Sequence, residues 1–182
     1  MSHEKDAQQR ERPYPELPFS GELRRLLWHG PAQALMVERK GTWSAGLCWI
    51  LAEGILRWVT FSRILPPTSV FLMIVGDAWC PAHHVVVCLR ITDGSGQEQH
   101  WYLDAYGVST QETLLRYWQQ EEGLTNPFLA SYDEQLLLEL GIRRDGRMST
   151  RLAECFFETF GRFSLTLLGT ESLERPVDRQ DE

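Results

Sequence analysis

Residues Leu47 to Phe61 read LCWILAEGILRWVTF, and this stretch decides the fold. Its apolar positions run almost all the way round a helix, so it predicts a buried helix rather than a surface one. Gly46 stands just ahead of it and Cys48 falls at its start. Outward from it, Pro66-Pro67 is a stop, and Ser69–Val75 (SVFLMIV) is rich in the β-branched and aromatic residues of a buried strand. A second strand is expected over His83–Ile91 (HHVVVCLRI), a turn over Thr92–Gln97 with Asp93-Gly94 and Gly96, and a third strand over Glu98–Ala105. The second and third strands make an antiparallel hairpin.

Before this centre, Ser20 caps a short amphipathic helix over Glu22–Trp28, which Gly30-Pro31 ends, and a further helical piece spans Pro31–Val37. After it, Ser109 to Glu112 reads as a capping box opening a helix to about Glu122. Helices over Asp133–Leu140 and Ser149–Phe160 follow, with Gly141 and Gly161 as their stops. Residues 1–18 are polar, charged and Pro-punctuated and read as a flexible leader. Residues 19–170 form one α+β domain, and 171–182 a charged tail.

The bulk numbers exclude several classes. A chain of 182 residues suits one domain, and 43% hydrophobic with 11% aromatic residues is a globular composition. A net charge of −7 argues against a nucleic-acid binder, which needs clustered Lys and Arg. No apolar run is long enough to span a membrane or to act as a secretory signal. The four cysteines, at 48, 80, 88 and 155, form no CxxC pair, so neither a disulfide framework nor a zinc ribbon is indicated. Cys80 and His83 could give two metal ligands, but no second pair completes a site. No cofactor is expected. A cytoplasmic setting is the plain inference, and delivery by a secretion system that needs no signal peptide is compatible with it.

Three polar residues stand out against apolar surroundings. At a helix start, unpaired amides and the helix dipole stabilise a Cys48 thiolate, and the same amides can hold an oxyanion. His84 opens the second strand and Asp104 lies near the end of the third, so a hairpin can bring imidazole and carboxylate together. Asp104 would fix the ring tautomer and leave the other nitrogen for the thiol. Each has a bland reading as well. A cysteine on an apolar helix is most often a small buried hydrophobe, and a strand-end aspartate often only binds turn amides. His83 competes with His84, because the strand is apolar on both faces and alternation does not decide between them.

GLCWILAEGI, HHVVVCLRI and WYLDAYGVST, in that order, resemble the three blocks of papain-like and transglutaminase-like proteins, including uncharacterised phage and plasmid members. The resemblance covers roughly residues 41–121. It implies a papain-like fold in which the Cys-bearing helix packs on a small antiparallel sheet, with additional C-terminal helices. It also implies a thiol protease or deamidase type of hydrolase acting on a protein or peptide. Cys48 would be nucleophile, His84 general base and then acid, and Asp104 the orienting residue. Such peptidases carry a glutamine shortly before the cysteine to complete the oxyanion hole, and residues 40–47 contain none. Ser44, Thr42 or the Trp43 indole are the candidate substitutes, or the Cys48 amide acts alone. Acyl transfer to a non-water acceptor belongs to the same fold. A non-catalytic domain that binds a protein partner is the reading from a different class.

Overall fold

The computed structural model describes residues 17–44, 46–66, 69–92, 95–139 and 144–169. The expected leader (apart from Leu17 and Pro18), the tail after 170, the Asp93-Gly94 turn and the Gly141 stop lie outside them. The fold is mixed α+β. Among the described residues, six α-helices surround a five-stranded antiparallel sheet. The helices are α1 Ser20–His29, α2 Pro31–Glu38, α3 Cys48–Ser62, α4 Gln111–Gln120, α5 Glu134–Glu139 and α6 Gly146–Phe160. The strands are β1 Val70–Gly76, β2 His84–Thr92, β3 Glu98–Asp104, β4 Gly107–Ser109 and β5 Phe128–Ser131, in the spatial order β4-β3-β2-β1-β5. No described helix is long and apolar enough to cross a membrane.

Strand β2 is apolar on both sides because the sheet is covered on both. Val85, Val87, Leu89 and Ile91 enter the larger core with α1, α2, α3 and α6. Val86 and Cys88 enter a smaller core with Tyr102, Tyr106, Leu114, Tyr117 and Trp118. In the larger core α3 lies against α6. Gly54 permits the approach, since a Cβ there would meet Leu152 Cδ2 at 2.9 Å. At the preceding residue the buried Glu53 carboxylate accepts Ser149 Oγ at 2.8 Å and pairs with Arg144 and Arg57, so this buried charge is not left unpaired. Trp58 fills the centre among Phe156, Phe160 and Phe163, and its Nε1 donates to the Gly161 carbonyl at 2.8 Å.

Some sequence expectations shift. Ser20 does not cap α1: it is the first helical residue, and its hydroxyl exchanges two hydrogen bonds with the Val108 backbone. The cap of α4 is Thr110, which accepts the Thr113 amide, while Ser109 is buried in β4. Helix α6 starts at Gly146 because Asp145 accepts the Met148 amide, ahead of the expected Ser149. Strands β4 and β5 were not expected from the sequence at all.

Candidate active site

Strand β2 begins at His84, and its pairing with β3 runs from Thr92↔Glu98 to Val87↔Leu103. Beyond that point β3 turns away at Asp104 to pair with Gly107, so residues 84–86 have no strand partner on that flank. Asp104 continues the face of Tyr102 and His84 the face of Val86, which sets the two diagonally on the same side. His84 Nε2 lies 3.1 Å from Asp104 Oδ2, and Asp104 Oδ1 accepts the Tyr106 amide at 2.8 Å. With both oxygens held, the carboxylate fixes Nε2 as the protonated nitrogen and leaves Nδ1 free to face a partner.

That partner comes from the other side of the sheet. Cys48 is the first residue of α3, and Leu47, the N-cap, offers no side-chain cap to the amides of the first turn. Burial pushes the Cys48 thiol up. A hydrogen bond and charge from His84, with the amides of Val85 and Trp49 donating toward the sulfur, outweigh this and hold the thiol below its ordinary value. Burial acts on His84 in the opposite sense, favouring the neutral ring. Asp104 and Cys48 overcome it and raise the imidazole to about 9. His84 Nδ1 makes no hydrogen bond of good geometry, although the sulfur is close enough to shift the ring's charge. A loosely aligned thiol–imidazole contact accounts for both facts.

The three side chains are nearly closed off: Cys48 is 7% exposed, His84 1% and Asp104 2%. Trp118 of α4 forms the lid over the ring, with centroids 4.5 Å apart and planes 33° from parallel. An indole face there favours the imidazolium and restricts rotation of the ring. On the far flank, the connection from β1 to β2 is pinned by Asp77, whose carboxylate accepts the amides of Trp79, Cys80 and Thr125. This rigid loop presents Trp79 at 87% exposure, five residues ahead of His84.

The other candidates are placed differently. His83 is exposed, with its ring centroid 5.4 Å from that of Trp118 and the planes tilted by 55°, while the hydrogen bond to Asp104 comes from His84. Trp43 is not an oxyanion donor, because it is fully buried and its Nε1 donates to the Leu27 carbonyl at 3.1 Å. Ser44 is engaged by Thr42 Oγ1 at 3.4 Å and by the Tyr106 hydroxyl. The donors at the sulfur are backbone amides instead. Among the described residues no group of three His, Cys, Asp or Glu side chains is arranged to hold a metal ion, Cys80 and His83 included. A cavity of about 590 Å³ opens between α3 and the β1–β5 edge, walled by Trp49, Glu53, Phe71, Tyr132 and Arg144, and none of Cys48, His84 and Asp104 lines it.

Sequence reasoning did not find Trp118, Tyr106 or Trp79. Trp118 lies 34 positions beyond His84, and only the packing of α4 under the sheet brings the two together. No protein-family model, no curated protein and no solved structure matches this chain.

Proposed function

We propose that this chain is a cysteine-dependent acyl-transfer enzyme of the hydrolase type, peptidase or deamidase, with a papain-like or transglutaminase-like arrangement of Cys48, His84 and Asp104. The observation that carries the reading is His84: a buried imidazole whose Nε2 lies on the Asp104 carboxylate and whose charged form the Cys48 thiol, at an uncapped helix start, also favours. The Cys48 thiolate attacks the substrate carbonyl, and the carbonyl π electrons move onto oxygen, where first-turn amides of α3 receive the charge. As the tetrahedral species collapses, imidazolium Nδ1 gives its proton to the leaving nitrogen and the C–N bond breaks. The neutral ring then takes a proton from water, hydroxide adds to the thioester, and the C–S bond breaks to return the thiolate.

A specific observation favours the second reading, a papain-like domain that binds a protein partner without turnover: the triad is almost wholly covered. Alkylation by iodoacetamide separates the two. An activated Cys48 is alkylated well below pH 8, with the rate rising through a thiol value under that of an ordinary cysteine, about 8.5. Peptide mass spectrometry reads Cys48 apart from Cys80, Cys88 and Cys155. Cys48→Ala should abolish activity while costing less than about 1 kcal/mol of stability, since the side chain loses one atom. A Cys48 that is alkylated no faster at neutral pH than Cys88 would refute the enzyme reading.

A further inference from the structure

Helix α4 ends at Gln120, and the turn that follows folds back toward the site, with Leu124 N donating to the Trp118 carbonyl at 3.1 Å. Within that turn Glu122 Oε1 accepts two phenols, Tyr106 Oη at 3.2 Å and Tyr117 Oη at 3.3 Å. Tyr106 is the residue whose amide seats Asp104, and its hydroxyl also reaches Ser44, four positions before Cys48. Glu122 therefore stands one tyrosine side chain away from the Asp104–His84 pair, on the flank where β3 has left β2. Both phenols are buried and Glu122 is exposed.

Two features set this carboxylate apart from an ordinary surface glutamate. Its position is fixed, because two buried donors hold one of its oxygens. Its charge is not neutralised, because among the described residues it meets the two tyrosines and no arginine, lysine or histidine. Burial raises both phenols, and the Glu122 charge raises them further, as an unpaired anion would. Held by two phenols and paired with no described cation, the carboxylate keeps its charge available to a bound molecule.

We propose that Glu122 is a specificity-determining residue of the Cys48 site, receiving an ammonium or guanidinium group carried by the substrate. This rests on Cys48 being a reactive thiolate, and it narrows the substrate to a cationic one. Methanethiosulfonates test it without knowledge of the natural substrate. In each, the thiolate attacks the sulfenyl sulfur, a disulfide forms, the S–SO₂ bond breaks and methanesulfinate leaves. Rates at Cys48 are read by peptide mass spectrometry for the aminoethyl (cationic), sulfonatoethyl (anionic) and methyl (neutral) reagents. The first two are divided by the neutral rate on the same protein and by the corresponding ratios for a small free thiol.

The wild-type chain should favour the cationic reagent over the anionic one by about ten-fold or more. E122Q should cut that preference about five-fold, the worth of one unit charge near contact distance in water, while E121Q should cut it by less than two-fold. A preference that E122Q leaves intact, at a Cys48 that reacts readily with the neutral reagent, overturns the proposal and spares the nucleophile reading. A Cys48 inert to all three reagents overturns both. Should E122Q melt below the assay temperature, salt decides on the wild-type chain. Raising it from about 0.01 M to about 1 M shortens the Debye length from about 30 Å to about 3 Å. The preference should then collapse, and one that persists is not electrostatic and overturns the proposal.

Discussion

The two faces of the sheet are built from different materials. The face under α1, α2, α3 and α6 is packed with Leu, Ile, Val, Phe and Trp, and its one deeply buried carboxylate, Glu53, is tied to two arginines and a serine. The face under α4 is smaller and carries tyrosines, Trp118 and the His84–Asp104 pair. On the first face polar groups serve to join helices. On the second they set one another's charge. Cys48 belongs to the apolar face by packing, yet its sulfur is governed by the polar one, because α3 begins where β2 begins. The lesson is that a large inert core positions the start of α3, and a small polar core determines what that start can do.

The sharpest way to break this division is Asp104→Asn. The amide removes the carboxylate whose hydrogen bond, together with Cys48, raises His84 to about 9 against its burial, while it can still accept the Tyr106 amide. Turnover should fall by about 10³-fold or more. The sign of the pH change follows from the linkage. The imidazolium is held protonated up to about 9 in the folded chain, so the acid role we propose for it is present below that value and lost as pH rises through it. In D104N the alkaline limb of the rate profile should move down in pH, and the thiolate should require higher pH to form. An unmoved alkaline limb would show that the two faces do not divide the work in this way.

Phe156→Ala tests the other face. The ring is fully buried and stacked on Trp58 at 5.3 Å, so its loss should cost about 3–5 kcal/mol in denaturant unfolding. Below the melting temperature, alkylation of Cys48 should keep its wild-type pH midpoint. A shifted midpoint would mean that the apolar core tunes the thiol directly.

Trp118→Phe gives the smallest effect and the finest distinction. A phenyl ring keeps most of the packing on His84 but offers a weaker π face to a cation. The alkaline limb should drop by a few tenths of a pH unit, with a stability loss of about 1 kcal/mol. A large rate loss without a pH shift would assign Trp118 to substrate contact instead.

Much of this was legible in the sequence for one reason. The site residues lie at the ends of the three segments with the strongest patterns, 47–61, 83–91 and 98–105. An element start or end can be read when the element itself is unmistakable. Even so, the choice between His83 and His84 required the structure, because β2 is buried on both sides and every alternation looks alike. Strands β4 and β5 are three and four residues long, too short to show a period, and tertiary pairing rather than propensity makes them. Trp43, one of several candidate donors in the sequence, turns its indole N–H inward to the Leu27 carbonyl, which closeness to the cysteine in sequence does not reveal. Glu122 and Trp118 left no sequence signal, since their roles exist only after α4 has packed under the sheet.

Helix α1 has a consequence for the order in which the chain is assembled. Three of its side chains hold the turn just past Asp104: Trp28 on the Ala105 carbonyl, Arg24 on the Tyr106 carbonyl, and Ser20 on both backbone groups of Val108. These contacts join positions 77 to 88 residues apart. Closing a loop of that length is slow compared with forming the helix itself. During synthesis α1 therefore emerges long before the turn it clasps has been made. The carboxylate that aligns the imidazole is secured only when α1 packs back onto that turn. The protein should pass through a time in which thiol and imidazole exist but are not yet aligned, and a nascent chain stalled before residue 105 should carry an ordinary cysteine at position 48.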